Sequence, residues 1–279
     1  MSDLARALEM ASATHTGMVR AHNEDSIGSD PSIGLAVLAD GMGGYNAGEV
    51  ASGIAVALIS KETRETLAHV RPYELDRGSG KPMAVRILGS IIARANSSIF
   101  QAANSQPQYA GMGTTLVVAL LADNHINVAH VGDSRLYRLR GDELAQLTRD
   151  HSLLQEQIDS GMITKEMARR SQNKNLVTRA VGIEPEVEAD VNTFEAREGD
   201  TYLLCSDGLC DMVDDEDILL TLTSLSANLP LAANQLVQMA NDNGGRDNIS
   251  VILIRVRRSF PAARGLLSRL KRWFGKNGD

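Results

Sequence analysis

The sequence predicts an α+β fold in which helices cover largely antiparallel sheets. Three observations predict it: β-prone segments precede and follow a pair of long helical patterns, turn dipeptides join short strands in succession, and no repeat of fixed period is present. The chain has 279 residues, of which 43% are hydrophobic, so it is long enough for one large domain with a buried core. We therefore expect one domain followed by a tail.

Strands are predicted where Val, Ile, Leu and Thr concentrate or alternate. These segments lie near residues 8–14, 34–39, 114–122, 125–131, 134–140, 201–206 and 248–257. The turn formers Asp123-Asn124 and Gly141-Asp142 lie between short β-prone runs and predict successive hairpins. A meander of hairpins makes the sheet largely antiparallel.

Helices are predicted by apolar residues at helical spacing. The two long patterns cover 46–68 and 82–106, and shorter ones cover 149–159, 164–171, 215–224 and 230–242. Asp214 is the expected N-cap of one short helix, with Asp217 in its first turn. We interpret the acidic run around these residues as capping and a solvated face rather than as metal ligands.

Charge and cysteine content limit the class of protein. A net charge of -7 and a pI near 5.4 fit a soluble protein and argue against a nucleic-acid-binding surface. Cys205 and Cys210 have neither zinc-site spacing nor a disulfide framework, which predicts ordinary thiols in a reducing compartment. The N-terminal sequence lacks the pattern of a secretion signal and no run of about 18 apolar residues occurs, so we predict a cytoplasmic location.

Four acids lie at the boundaries of predicted strands. Asp40 ends "LAVLAD", Asp133 ends "NVAHVGD", Asp207 ends "TYLLCSD" and Asp247 opens "DNISVILIRV". Any one of them alone is typical of a turn or a helix cap. If all four converge, however, they repel one another, and a divalent cation removes that cost.

Ligand chemistry favours a hard cation at such a site. Oxygen ligands without histidine or thiolate select Mg²⁺ or Mn²⁺ rather than zinc, and we expect one or two ions. The backbone carbonyl of Gly41 is a candidate additional ligand beside Asp40. Asp40 is therefore predicted to pair with metal rather than with Lys or Arg.

The stretch "VRAHNEDS" places Arg20, Glu24 and Asp25 on a short segment between two predicted strands. The guanidinium fork of Arg20 suits phosphate oxygens, although a surface arginine is the alternative. Glu24 and Asp25 are candidates to hold the waters of a bound metal.

An ordered set of motifs resembles the bacterial branch of the metal-dependent PPM (type 2C) Ser/Thr protein phosphatases. The motifs are "VRAHNEDS", "LADGMGGYNAGEVAS", "GMGTTLVVALL", "VAHVGDSRLYRLRGDELAQLTRDHSLLQ", "VTRAVG", "YLLCSDGLCDMV" and "GGRDNISVILI", and they span roughly residues 10 to 256. The resemblance implies a four-layer α-β-β-α sandwich of two mainly antiparallel sheets flanked by helices. It also implies a centre of two Mn²⁺ or Mg²⁺ ions at one end.

The resemblance also implies a role for each candidate ligand. By this resemblance, Asp40 bridges both metals, the carbonyl of Gly41 binds the second, and Asp207 and Asp247 bind the first. Asp133 matches the position that binds a third, more weakly held metal, and Asp207 is also a ligand of that metal.

Among the remaining candidates, Arg20 matches the phosphate-binding arginine, and Glu24 and Asp25 match the outer-shell acids. The implied activity is hydrolysis of phosphoserine and phosphothreonine in proteins by a metal-activated water, opposing a bacterial Ser/Thr kinase. The alternative is a catalytically inactive scaffold of the same fold that binds phosphoproteins.

One position departs from many eukaryotic members. Met42 stands where those members have a histidine proposed as the general acid, so a water or another donor must protonate the leaving alkoxide. Four histidines are candidate proton donors, but we expect each of them to be a packed or surface residue instead: His15, His22, His130 and His151. Cys205 and Cys210 have no expected catalytic role, because they lack the Cys-x5-Arg loop of a thiol phosphatase.

The predicted domain covers residues 1–257, with a flap at about 148–171, and a basic tail covers 258–279. The flap segment resembles a mobile subdomain beside the metals, and the alternative is a simple helical insertion. The tail predicts an amphipathic helix on an anionic membrane surface or an acidic partner. The alternatives are a helix packed on its own domain and a disordered end.

Overall fold

Two antiparallel β-sheets lie face to face, with helices on both outer surfaces. The computed structural model describes residues 3–44, 47–164, 167–168 and 176–262. The strands are β1 (Leu8–His15), β2 (Asp25–Asp30), β3 (Leu35–Met42), β4 (Gly113–Thr114), β5 (Leu116–Ala122), β6 (His125–Val131), β7 (Arg135–Arg140), β8 (Glu143–Gln146), β9 (Asp190–Glu195), β10 (Thr201–Cys205) and β11 (Ile249–Val256). The helices are α1 (Asp3–Ala7), α2 (Ala47–Leu67), α3 (Met83–Ser105), α4 (Leu153–Asp159), α5 (Asp207–Cys210), α6 (Asp215–Ser224) and α7 (Leu229–Asp242), with a 3-10 turn at Pro107–Tyr109.

The order of strands defines the sandwich. One sheet runs β1-β11-β10-β7-β8, and the other runs β2-β3-β5-β6-β9 with β4 paired to β3. The first and last strands pair antiparallel, with Leu8 opposite Val256. The predicted α+β sandwich of two antiparallel sheets flanked by helices is confirmed.

Three hydrophobic layers separate the four layers of secondary structure. In β3, Leu35, Val37 and Ala39 pack toward α2 and α3, whereas Ala36 and Leu38 pack toward the other sheet. Residues of β10, β11 and the helices α5 to α7 form the third layer. Burial on both faces explains why β3 is continuously apolar in sequence, without the alternation of a half-exposed strand.

The predicted hairpins are present. Asp123 and Asn124 have φ angles of 51° and 56° between β5 and β6, a left-handed conformation that Asp and Asn tolerate in two-residue turns. Gly141 has a φ of 63° between β7 and β8. Both turns lie where the sequence predicts them.

Several boundaries differ from the prediction. The helix expected over 149–159 begins only at Leu153, because Ser152 is its N-cap and its Oγ accepts from the backbone N–H of Gln155 at 3.3 Å. Asp214 occupies the N-cap position of α6, but its side chain makes no capping hydrogen bond. The strands β2 and β9 were not among the expected strands.

Parts of two predicted segments lie outside the described residues. Of the helix expected over 164–171, the structure describes only residues 164, 167 and 168, so this part of the flap stays a prediction. The tail is described only as far as residue 262, and its amphipathic helix stays a prediction. In the described part of the chain, no helix combines the length and apolarity needed to cross a bilayer.

Candidate active site

The four predicted acids lie at the same end of the sandwich. Asp40 is near the end of β3, Asp133 follows β6, Asp207 follows β10 and Asp247 precedes β11. Because neighbouring strands are antiparallel, the end of β10 and the start of β11 share one edge of their sheet. The ends of β3 and β6 share an edge of the other sheet in the same way, with the start of β5 between them.

Hydrogen bonds between the sheets join these two edges. The Oγ of Ser206 donates to Oδ2 of Asp25 at 2.9 Å, and Asp25 lies opposite Asp40 in the pairing of β2 with β3. The Oδ1 of Asn248 accepts from the backbone N–H of Glu24 at 2.7 Å. The strand ends that carry the acids therefore meet across the sandwich.

Asp133 is connected to Asp40 through Thr115. The backbone N–H of Thr115 donates to the carbonyl oxygen of Asp40 at 2.8 Å, and its Oγ1 bonds Oγ of Ser134 at 2.7 Å. Gly132 has a φ of 100°, and a Cβ there would meet the Cβ of Thr115 at 2.7 Å. Glycine at this position is therefore required for the chain to turn directly into Asp133.

A close backbone contact fixes the end of β3 against the start of α2. A Cβ on Gly41 would lie 2.2 Å from the carbonyl oxygen of Gly48, so only glycine fits. The carboxylate of Glu24 accepts from the backbone N–H of Gly48, where a helix N-terminus favours negative charge. The direct binding of metal by the carbonyl of Gly41 stays a prediction.

We name Asp25, Asp40, Asp133, Asp207 and Asp247 the acidic cluster. Burial raises the pKa of Asp25 to about 6. Burial, followed by the charge of Asp150, raises the pKa of Asp133 to about 6. The pKa values of Asp40 and Asp207 are raised well above the ordinary range, first by burial and then by the neighbouring carboxylates. Without a positive partner, the cluster resists full ionisation.

The carboxylate oxygens of the acidic cluster fit a divalent cation. Oδ1 of Asp25 and Oδ1 of Asp207 are buried and have no hydrogen-bond partner. Within the described residues, the one ion pair made by the cluster joins Nη2 of Arg20 to Oδ2 of Asp247 at 2.7 Å. Buried carboxylate oxygens that receive no hydrogen bond are suited to bind hard cations such as Mg²⁺ and Mn²⁺.

Arg20 and a cleft border the acidic cluster. Arg20 lies between β1 and β2 with its side chain 51% exposed, so its guanidinium can reach a ligand from solvent. Glu24 shares this segment, but Asp25 does not lie in the loop as expected, because it is the first residue of β2. A cleft of about 310 Å³ extends from Asp133 and Asp207 to α4 and α6. The site is open to a substrate on this side.

The four candidate histidines occupy the expected surface and packed positions. His15 and His22 are exposed, whereas His130 and His151 are buried with ring centroids 4.7 Å apart. Nε2 of His151 lies 3.4 Å from Oδ2 of Asp190. The two buried imidazoles and this carboxylate offer ligand atoms within 4.8 Å of one another, a second group that the sequence did not predict.

Sequence reasoning also missed Asn248 and Ser206. Nδ2 of Asn248 donates to the carbonyl oxygens of Thr16 and His22, both at 2.9 Å, and so holds the Arg20 segment against β11. Ser206 precedes Asp207 and Asn248 follows Asp247, and this adjacency to a predicted acid is the one sequence feature that could have indicated either residue. Their partners lie far away in sequence, so spacing alone does not reveal the contacts.

Comparisons with known proteins agree with this geometry. Residues 14–246 match the family Protein phosphatase 2C. The chain is 41% identical to "Serine/threonine phosphatase stp" of Listeria welshimeri over 247 residues, 86% of this chain and 93% of that protein. The crystal structure of the Mycobacterium tuberculosis serine/threonine phosphatase PstP/Ppp matches with a TM-score of 0.81 and 38% identity, over 90% of this chain and 99% of that chain. The PstP catalytic domain in complex with two manganese ions matches with a TM-score of 0.76 and 38% identity, over 89% and 97%. The chain belongs to the protein phosphatase 2C family.

Proposed function

We infer that this protein is a metal-dependent serine/threonine protein phosphatase that hydrolyses phosphoserine and phosphothreonine in proteins. Family membership supports this function, as do relatives that are named serine/threonine phosphatases at about 40% identity. The observation that carries the inference is the acidic cluster, in which Oδ1 of Asp25 and Oδ1 of Asp207 are buried without a hydrogen-bond donor and which lies beside a half-exposed arginine. Phosphorylated proteins are the corresponding substrates.

The residues at the cluster divide into two proposed groups of metal ligands. Asp40, the carbonyl of Gly41, Asp207 and Asp247 would hold two Mn²⁺ or Mg²⁺ ions. Asp133 would hold a third ion together with Asp207. When bound, such ions supply an activated water for direct attack on phosphorus and neutralise the phosphoryl oxygens.

The chain's own side chains position the phosphoryl group. Arg20 would donate from its guanidinium to two phosphoryl oxygens, and its pairing with Asp247 holds it at the edge of the cluster. Glu24 and Asp25 would accept hydrogen bonds from waters around the ions. Met42 has no proton to donate, so we assign protonation of the leaving alkoxide to water in the open cleft.

The cellular setting is part of the same proposal. Phosphoprotein substrates require a kinase, and we propose that a cognate bacterial Ser/Thr kinase supplies them in the cytoplasm. The composition of the tail at 258–279, most of which lies outside the described residues, supports contact with an anionic membrane surface or with an acidic partner protein.

Phosphate release from a phosphothreonine peptide tests the proposed function. Release is expected with Mn²⁺ or Mg²⁺ and is expected to stop in EDTA, because removal of the ions removes the activated water that would attack phosphorus. An inactive scaffold would instead bind the phosphopeptide without releasing phosphate under either condition. That result would overturn the inference.

Replacing Arg20 with Ala is expected to lower kcat/KM for the phosphopeptide roughly ten- to hundredfold, since a hydrogen bond to a charged group contributes about 1.5–3 kcal/mol. The affinity for Mn²⁺ should not fall, because the variant frees Asp247 from its ion pair. Steady-state kinetics and calorimetric Mn²⁺ titration measure the two effects.

Arg64→Ala is the matched control for this variant. Arg64 pairs with Asp30 at the same distance of 2.7 Å and is 64% exposed, but Asp30 lies at the far end of β2. The control should keep the wild-type kcat/KM. Equal losses in both variants, or an unchanged kcat/KM for Arg20→Ala, would contradict the assigned role.

A further inference from the structure

The two cysteines of this chain lie within reach of each other. Cys205 is the last residue of β10 and Cys210 is the last residue of α5. Both are free thiols, and their Sγ atoms are 3.5 Å apart. No other cysteine occurs in the sequence, so any disulfide within the chain must join these two.

The segment between the cysteines carries a proposed metal ligand. It reads "CSDGLC", and Asp207 is the first residue of α5 within it. The segment is held against β11. The backbone N–H of Ser206 donates to the carbonyl oxygen of Ser250 at 3.1 Å. A Cβ on Gly208 would lie 2.0 Å from the carbonyl oxygen of Asn248. A movement of this segment at Cys210 therefore disturbs the contacts on both sides of Asp207, because Ser206 and Gly208 pack against β11.

The two thiols differ in access. Cys205 is fully buried, whereas Cys210 is partly exposed and lines the cleft of about 310 Å³ beside Asp207. A small oxidant can therefore reach Cys210 first. The hydrogen bond with Cys205, followed by the charge of Arg135, lowers the pKa of the Cys210 thiol, which favours its reaction as a thiolate.

We propose that Cys205 and Cys210 form a reversible disulfide on exposure to a hydroperoxide, and that this bond displaces Asp207 from the acidic cluster. The sulfur of Cys210 attacks a peroxide oxygen, the O–O bond breaks, and a sulfenic acid forms with release of water. The sulfur of Cys205 then attacks the sulfur of Cys210, the S–O bond breaks, and a second water leaves with the Cys205 proton. Two thiols lose two electrons, one hydrogen peroxide becomes two waters, and a dithiol reductant reverses the bond by exchange.

The displacement follows from which element can move. Formation of the bond shortens the sulfur separation from 3.5 Å to about 2.05 Å. Cys205 is paired on both sides, opposite Val251 of β11 and Arg135 of β7, so β10 is held in place. The four-residue helix α5 must move instead, and Asp207 moves with it. The loss of activity that we expect rests on the proposed function, whereas formation of the bond does not.

Thiol counting on the full chain tests the proposal. The protein is treated with hydrogen peroxide in EDTA, the peroxide is removed with catalase, and thiols are counted after denaturation. Titratable thiols should fall from two to none in a monomer that has lost two hydrogens by mass, with Cys205 linked to Cys210 in the peptide map. The oxidised protein should show at least a tenfold weaker Mn²⁺ affinity by calorimetry and at least a tenfold lower phosphate release. Dithiothreitol should restore both.

Single variants separate this bond from other oxidation. Cys210→Ala should keep its Mn²⁺ affinity and activity after peroxide, and Cys205→Ala should stop at a sulfenic acid that dimedone traps. If Cys205→Ala does not fold, the wild-type peptide map still decides whether the bond forms. Two surviving thiols in wild type would overturn the proposal, as would a disulfide that leaves Mn²⁺ affinity unchanged, or equal inactivation of Cys210→Ala. If untreated protein released no phosphate, the proposed function would fail, while the thiol count and Mn²⁺ affinity would still test the disulfide.

Discussion

Replacing Asp207 with Asn is expected to lower phosphate release by at least about a hundredfold, the scale of losing one preorganised electrostatic group, and to stabilise the metal-free protein. The two effects have a common cause. The pKa of Asp207 is raised well above its ordinary range by burial and by the charges of Asp133 and Asp247, so its ionised form is unfavourable without metal. The amide removes that repulsion, but it also removes a negative charge from the proposed ligands of two ions.

Asp247→Asn is expected to lower activity equally but without the gain in stability. Asp247 already has partners in the metal-free protein: Oδ2 accepts from Arg20 at 2.7 Å, and Oδ1 accepts from the backbone N–H of Asn248 at 2.8 Å. Loss of this charge leaves Arg20 without its carboxylate. The two variants should therefore differ in stability while sharing the loss of function.

Hydrolysis of p-nitrophenyl phosphate with Mn²⁺ and thermal melts in EDTA measure these effects. Asp142→Asn, at an exposed turn position between β7 and β8, is the matched control and should leave both quantities unchanged. Stabilisation by Mn²⁺ should be smaller in Asp207→Asn than in the wild type, because the stabilisation that a ligand gives falls with its affinity for the folded state. Near-normal turnover by either cluster variant would refute its assignment as a metal ligand.

Most of the strands that the sequence predicted are substantially buried, and β1, a partly exposed outer strand, is the exception. β3, β6 and β11 carry long runs of apolar residues because they lie inside their sheets or between packed layers. β2, "DSIGSD", and β9, "DVNTFE", were missed, and both are the outer strands of one sheet. Each of these two strands has one paired side and little buried surface, so its sequence carries a weak apolar pattern. Its pairing is determined by the neighbouring strand.

The acids of the site could be predicted from the sequence, whereas the polar residues beside them, Ser206 and Asn248, could not. A carboxylate at the end of an apolar strand is unusual enough to be noticed, and Asp40 and Asp207 both stand there. Ser206 and Asn248 are common polar residues, and their importance comes from partners 181 and 224 positions away, respectively. The helix α5 was missed because four residues cannot show helical periodicity.

The stability of the metal-free protein is expected to fall as the pH rises from about 4 through about 6, because the pKa values of Asp25 and Asp133 are raised to about 6. A carboxyl with a raised folded pKa binds more protons in the folded state than in the unfolded state, where its pKa is about 3.9. Its stabilising contribution is complete below the unfolded pKa and is lost as the pH rises through the folded pKa. For Asp25, the rise from an ordinary 3.8 to about 6 corresponds to about 3 kcal/mol.

Other titrating groups act differently in this window. His151 has a pKa lowered first by burial and then by His130, so its contribution to stability increases with pH up to about 6.5. Carboxyls with lowered pKa values, such as Asp190 and Asp200, contribute stability that is lost only in more acidic solution. Asp200 is outside the acidic cluster and outside the group formed by His130, His151 and Asp190, so it should titrate in the same way with and without metal.

The difference between melts in Mn²⁺ and melts in EDTA therefore removes the contribution of groups that do not bind metal. Cations displace the protons that the raised pKa values hold, so the increase in Tm caused by Mn²⁺ should grow with pH between about 5.5 and 7.5. In Asp207→Asn the dependence on pH in EDTA should be weaker, because one of the strongly raised groups is absent. A Mn²⁺ effect that stays constant over this range would show that the buried carboxylates do not bind the ion. In that case their raised pKa values would be a consequence of burial alone, without a role in holding metal.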